Sequence, residues 1–306
     1  MTGVRLLEVS RNEDGQRLDN YLLRHCPGVP KSHIYRIIRK GEVRVDGKRA
    51  KAMRRLVAGE QVRIPPLRMK STDKVRVPDD YAARAAAAVV FESADMLALA
   101  KPAGVAVHAG SGIPVGLIDA LRQARDEPGL ELVHRLDRAT SGLLLVARNG
   151  LVNRELQALF RERRVEKRYL ALVAGQWPAT LADIDAPLSK NVAHAGERRV
   201  MVDPEGQPAQ TAFTIVARLA GATLLDVTLH TGRTHQIRVH ARHAGHPVIG
   251  DERYGDNRIN RAFREQGLGR LFLHSRLLAF EWRGERLTLD VPVDEAWQAA
   301  IDGLDS

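Results

Sequence analysis

His134-Arg135-Leu136-Asp137-Arg138-Ala139-Thr140-Ser141-Gly142 runs without a break into Leu143-Leu144-Leu145-Val146. A charged loop thus opens directly onto a wholly apolar run, short enough to be a buried strand. A carboxylate between Arg135 and Arg138, at the mouth of that strand, is expected to stay charged, because nearby cations favour the ionised form. Such an anion can act as a nucleophile or general base. It can equally be one member of an ion-pair cluster that only stiffens the loop.

Around this stretch the apolar pattern predicts a mixture of elements. Val89-Val90-Phe91, Met96-Leu97-Ala98-Leu99, Tyr169-Leu170-Ala171-Leu172-Val173, Phe213-Thr214-Ile215-Val216 and Leu224-Leu225-Asp226-Val227-Thr228-Leu229 read as strands, and Val152, Leu156, Leu159 and Phe160 fall on one helical face. Strands grouped with a few helices, without strict alternation, predict an α+β fold on a mixed or antiparallel sheet. With 306 residues the chain is long enough for two domains.

The net charge of +10 is unevenly placed: residues 1–70 hold 17 Lys+Arg against 7 Asp+Glu, and the other 236 residues hold 30 of each. Charge gathered on a small folded segment is the footprint of a phosphate-backbone binder, or else a solvated face with no partner. Ile34, Ile37 and Ile38 recur at helical spacing, with Ser32 as the expected N-cap and Gly41 as the stop. Glu42-Val43-Arg44-Val45-Asp46-Gly47-Lys48-Arg49 alternates like a strand into an Asp-Gly hairpin turn, and Gln61-Val62-Arg63-Ile64 is a further strand ending at Pro65-Pro66. Residues 66–88, rich in Pro and then Ala, read as a linker. The expected division is 1–65, a linker over 66–88, and a larger domain over 89–306.

Two resemblances follow. Arg17-Leu18-Asp19-Asn20-Tyr21-Leu22, the helix over residues 31–40 and Gly41-Glu42-Val43-Arg44-Val45-Asp46-Gly47-Lys48 resemble an S4 RNA-binding domain. The resemblance implies contacts to structured RNA from Lys31, Ser32, Arg36, Arg39, Lys40, Arg44, Lys48 and Arg49. His134-Arg135-Leu136-Asp137 with Thr140-Ser141-Gly142 resembles the catalytic motif of the RluA family of pseudouridine synthases. Lys101-Pro102-Ala103-Gly104 with Val107-His108, Lys167-Arg168-Tyr169 with Leu172-Val173, and Thr231-Gly232-Arg233-Thr234-His235-Gln236-Ile237-Arg238-Val239-His240 with Gly245-His246-Pro247 and Gly250-Asp251 match other segments of that family in the same order. Ala139 is a departure, standing where the family usually has an acidic residue.

The family resemblance implies a pseudouridine synthase fold with a largely antiparallel sheet, and the isomerisation of uridine in RNA. It makes Asp137 the catalytic carboxylate, stacks Tyr169 on the uracil, and pairs Arg238 with Asp137. Arg135, with His134, belongs to flipping the nucleotide. Val29-Pro30-Lys31-Ser32-His33-Ile34-Tyr35-Arg36-Ile37-Ile38-Arg39-Lys40, His108-Ala109-Gly110-Ser111-Gly112 and Leu271-Phe272-Leu273-His274 point, within the family, to the branch acting on large-subunit (23S) ribosomal RNA. The alternatives are a relative acting on other rRNA or tRNA uridines, and a catalytically silent S4-containing ribosome-assembly protein.

An isomerisation has no net redox change and transfers no group in, so no cofactor is implied. Gly110-Ser111-Gly112 followed by Gly116 is not a dinucleotide fingerprint. His230, His235, His240, His243 and His246 lack an ordered ligand pattern, so no metal site is expected. Cys26 is the one cysteine, which leaves no internal disulfide. No apolar run nears the roughly 18 residues of a membrane span, and Arg5, Glu8, Arg11, Glu13 and Asp14 do not suit a signal peptide. A cytoplasmic monomer with no membrane or protein partner is the expectation.

Overall fold

A computed structural model describes residues 3–67, 77–110, 112–192 and 198–305. The basic N-terminal segment contains β1 (Arg5–Glu8), α1 (Leu18–His25), α2 (Lys31–Lys40), β2 (Arg44–Val45), β3 (Lys48–Arg49) and β4 (Gln61–Ile64), with sheet order β1-β4-β2-β3. Its core joins Leu18, Tyr21 and Leu22 of α1 to Ile34, Ile37 and Ile38 of α2 and to Val45, Val62 and Ile64 of the sheet. Gly41 stops α2 in the left-handed conformation, and its N–H donates to the carbonyls of Ile37 and Ile38. Asp46 and Gly47 both have positive φ, as a type I′ hairpin requires. Ser32 is not the N-cap: α2 starts at Lys31 behind Pro30, whose fixed φ suits a helix entry. Lys31, Ser32, Arg36, Arg39, Lys40, Arg44, Lys48 and Arg49 are all exposed.

The rest of the chain contains α3 (Asp79–Ala87), β5 (Val89–Glu92), β6 (Met96–Lys101), α4 (Leu117–Arg125), β7 (Glu131–Leu132), β8 (Ser141–Ala147), α5 (Gly150–Arg161), β9 (Glu166–Ala174) and β10 (Asp183–Asp185). It continues through β11 (Leu188–Val192), β12 (Arg198–Val202), β13 (Gln210–Leu219), β14 (Ala222–Leu229), α6 (Gln236–His243), α7 (Asn257–Glu265), β15 (Leu273–Trp282), β16 (Glu285–Asp290) and α8 (Glu295–Asp305). Ten strands form one sheet in the order β10-β13-β14-β9-β15-β8-β6-β5, with β16 on β15 and β7 on β8. Among the described residues only β15 and β8 pair in parallel; the other ladders are antiparallel. The fold is α+β on a mixed, largely antiparallel sheet.

Residues 66–88 do not form a linker throughout. Residues 68–76 lie outside the described residues, but α3 occupies much of the rest and buries Ala82 and Ala85 beside Ile118 and Leu121 of α4. Alanine is the best helix former, and Pro78-Asp79-Asp80 is a helix-start signal.

The apolar run after the charged loop is β8, and both of its faces are covered. Leu144 and Val146 pack with α3 and α4, while Leu143, Leu145 and Ala147 pack with Val152, Leu156 and Leu159 of α5. Further along the sheet, Ile237 and Ala241 of α6 pack on Ala171, Val173, Leu225 and Val227 of β9 and β14. The loop before β8 and the helix α6 are thereby set facing each other.

Where β8 meets β15, Gly142 lies opposite Ser275 with φ +106°, and a Cβ there would stand 2.1 Å from the Ser275 carbonyl oxygen. The Gly142→Ala change is expected to cost about 3 kcal/mol, from strained backbone and overpacking together. Chemical denaturation should show a lower midpoint than the wild type.

Candidate active site

Arg238, on the first turn of α6, is 8% exposed and spans two carboxylates. Its Nε and Nη2 donate to Asp251 Oδ2 and Oδ1 at 2.7 and 2.8 Å, a fork-to-fork pair, and its Nη1 donates to Asp137 Oδ2 at 3.0 Å. Asp251 also accepts the backbone N–H groups of Arg253 and Tyr254. Burial alone would raise the Asp251 pKa, but Arg238 and those backbone donors outweigh it and hold the carboxyl below its usual range. Asn260 of α7 fixes the turn from both sides, accepting from the Gly250 N–H and donating to the Asp251 carbonyl. Gly250 is required there because a Cβ would lie 1.6 Å from the Arg270 carbonyl oxygen.

Among the described residues no hydrogen bond reaches Asp137 Oδ1, so one oxygen is held and the other is presented. Behind Oδ2 stands His235, with Nε2 at 3.5 Å. Its Nδ1 is 2.7 Å from the Tyr254 hydroxyl, which accepts from the Val200 N–H. When that hydroxyl donates to Nδ1, the neutral imidazole carries its proton on Nε2, toward Asp137. Burial lowers the His235 pKa, against the pull of Asp137.

The loop that carries α6 is locked by Gln236. Its Oε1 accepts from Thr231 Oγ1 and the Arg233 N–H, and its Nε2 donates to the Gln210 carbonyl and Thr211 Oγ1. His240 bridges Thr211 and the Ala186 carbonyl, and His246 bonds the Ala174 carbonyl. Among the described residues no group of three or more His, Cys, Asp or Glu is placed to hold a metal ion.

Asp137, Tyr169, Arg135, His235 and Arg238 line one cleft of about 150 Å³. A single water takes roughly 30 Å³ of the liquid, so the cleft is on the scale of one flat ring. It adjoins a hollow of about 730 Å³ bordered by Arg138, Arg199, Arg253 and Arg270. Burial pushes the Tyr169 hydroxyl up to about 12, which keeps the ring neutral. Arg135 is exposed at the rim. On the loop's other side Lys101, 1% exposed, donates to the carbonyls of Pro102, Val105 and Arg138. Three acceptors match the three N–H of an ammonium, although burial pushes its pKa down to about 7.

His134 does not join Arg135 in the cleft. Its Nε2 accepts the Leu145 N–H at 3.0 Å and its ring stacks on Phe160 at 4.8 Å. Burial pushes its pKa down to about 4, so the ring is neutral. It anchors the loop to β8 and is not free to swing. Sequence reading missed Asp251, His235 and Tyr254 as members of the site, and Lys101 as its prop. Gly250-Asp251 was visible as a motif, but nothing in its spacing pointed to Arg238.

The site is thus a half-bonded carboxylate and a neutral aromatic ring lining one cleft, with arginines at its rim. The chain belongs to the pseudouridine synthase family: residues 95–243 match the family described as RNA pseudouridylate synthase, and residues 16–62 match the S4 domain. It is 46% identical over 308 residues to ribosomal large subunit pseudouridine synthase C of Escherichia coli (strain K12), covering 98% of this chain and 97% of that one. With the protein of the same name from Yersinia pestis the identity is 48% over 296 residues, covering 95% and 92%. Among solved structures, human RNA pseudouridylate synthase domain containing 1 superposes with a TM-score of 0.57 at 28% identity, over 67% of this chain and 83% of that one.

Asp251→Asn keeps the shape of the pair but removes one of the two charges that Arg238 answers. A hydrogen bond to a charged group is worth about 1.5–3 kcal/mol. The variant should lose about 10- to 100-fold in pseudouridine formation, measured by tritium release from C5-labelled RNA.

Proposed function

We propose that the chain isomerises specific uridines to pseudouridine in large-subunit (23S) ribosomal RNA, in the cytoplasm and as a monomer. The substrate reading is supported by identities of 46% and 48% to proteins named for the large ribosomal subunit, each nearly end to end. The observation that carries the site assignment is the pairing of Arg238 with Asp137 across 101 residues of chain, inside a cleft that Tyr169 also lines.

A uracil stacked in folded RNA hides its glycosidic bond, so the nucleotide has to be extruded. Unstacking costs a few kcal/mol, and stacking on an aromatic ring returns roughly 1–3 kcal/mol per base. Tyr169 is the ring for that task. Arg135, at the rim, fills the space the nucleotide leaves. Arg238 fixes Asp137 Oδ2, with His235 standing behind it, and Oδ1 meets the substrate. The bond from ribose to N1 then breaks and is remade at C5; N1 gains a proton and C5 releases one. Asp137 can begin this by attacking the sugar, by attacking the base or by taking a sugar proton.

The exposed basic residues of α2 and of the β2–β3 hairpin are assigned to the RNA backbone, which gives the small domain positioning without sequence readout.

Wild-type protein incubated with naked 23S rRNA should form pseudouridine, read by carbodiimide modification and primer extension, and Asp137→Ala should form none. An equally active Asp137→Ala variant overturns the site; an inactive wild type on every ribosomal RNA tested favours a binding-only protein. Replacing Arg36, Arg39 and Lys40 together with Gln should reduce the slope of log affinity against log salt by about 2, since each phosphate contact contributes roughly 0.7–0.9. Filter binding across a salt series measures it.

A further inference from the structure

On the Tyr169 side the cleft continues into a hollow of about 520 Å³. Arg135, Arg161, Arg163, Lys167 and Arg233 border it, and no carboxylate does. Lys167 is the unusual member, being only 8% exposed. Among the described residues it has neither an ion-pair partner nor a hydrogen bond. The other buried lysine among the described residues, Lys101, has three carbonyls around it. The Lys167 side chain is largely enclosed but opens onto this hollow, where no counter-charge meets it, so an arriving anion is favoured. Its neighbour Arg163 adds to the positive potential and, after burial, lowers the lysine's pKa further.

We propose that Lys167, with Arg163 beside it, is a phosphodiester-binding site that grips the RNA backbone next to the extruded nucleotide. The proposal rests on the RNA-modifying reading above. Lys167 and Tyr169 are two residues apart on β9 and line the same hollow. Alternate residues of a strand stand about 7 Å apart. A backbone phosphate on the lysine thus lies within one nucleotide of a base on the ring. The charge that the fold leaves unanswered is supplied by the substrate, so the site is completed only when RNA is bound. Lys167 touches no reacting atom in this scheme and is a positioning residue.

The test is RNA affinity across a salt series with full-length protein and 23S rRNA. Lys167→Met keeps the length of the side chain and removes its charge. It should weaken binding about tenfold at low salt and reduce the salt slope by roughly 0.7. Lys167→Arg should restore the slope. If Lys167→Met binds like the wild type with an unchanged slope, the lysine is a neutral core amine and the proposal falls. Arg163→Gln, an exposed position, keeps the question open to disproof should Lys167→Met fold poorly: it too should flatten the slope, and an unchanged slope counts against the site. Methylphosphonates placed singly on either side of the target uridine in a synthetic hairpin identify the ligand. One of the two should weaken wild-type binding and leave Lys167→Met unaffected; equal losses in both proteins at both positions would overturn the assignment. These readouts need only binding, so a wild type that binds 23S rRNA but forms no pseudouridine would sink the functional reading while the Lys167 site is still judged.

Discussion

One guanidinium answering two carboxylates is the constraint on which the site depends. Arg238 is nearly enclosed, Asp251 more so, and neither could be buried alone without a heavy desolvation cost. Two of the three donor positions of Arg238 are spent on Asp251, which fixes the plane of the guanidinium. The third then points at Asp137 and allows it little choice of rotamer. Everything that steadies Asp251, from the Arg253 and Tyr254 N–H groups to Asn260 and the glycine before it, reaches Asp137 through that plane. The Asp137 carboxylate sits on a loop, yet its geometry is set by a helix and a turn more than a hundred residues later.

The loop has its own supports. His134 ties its start to β8, Lys101 gathers three carbonyls beneath it, and Ser141 bonds His274 and Arg270 where it becomes strand. These groups are neutral or internally paired, so they steady the loop without competing for the one free oxygen of Asp137. Tyr169 is prevented from ionising by its surroundings and remains a flat, uncharged surface. The arrangement separates charges: the arginines stand at the rim, and the cleft within holds one anion and one aromatic ring.

Much of this was legible in the sequence because local contrasts carried it. The jump from the charged loop to Leu143-Leu144-Leu145-Val146 marked both the strand and its mouth, and the basic surplus in residues 1–70 marked the small domain. Pairings between distant segments were another matter. Arg238 was matched to Asp137 only through a family resemblance, and Asp251 was left without a partner because spacing does not encode a contact between a helix and the turn beyond it. His134 is a similar case: it lines the hollow beside the cleft with Arg135, and only the fold shows its Nε2 taken by a backbone N–H. The Pro- and Ala-rich stretch was read by its proline and not by its alanines, so α3 was missed. Helix α6 was obscured by its polar letters, since buried Gln236, Arg238 and His240 are satisfied by partners that no periodicity reveals.

The position of β15 in the sheet has a consequence for biosynthesis. Strands β5, β6 and β8 form one block and β10, β13, β14 and β9 another; among the described residues the ladder that joins them is β15, which pairs with β9 on one side and β8 on the other. As the ribosome releases the chain from its N-terminus, both blocks emerge while the strand that joins them is still unmade. Asp137 belongs to the first block and Arg238 follows the second, so a nascent chain lacking its last thirty or so residues has the two partners of that ion pair on plates that no strand ladder yet joins.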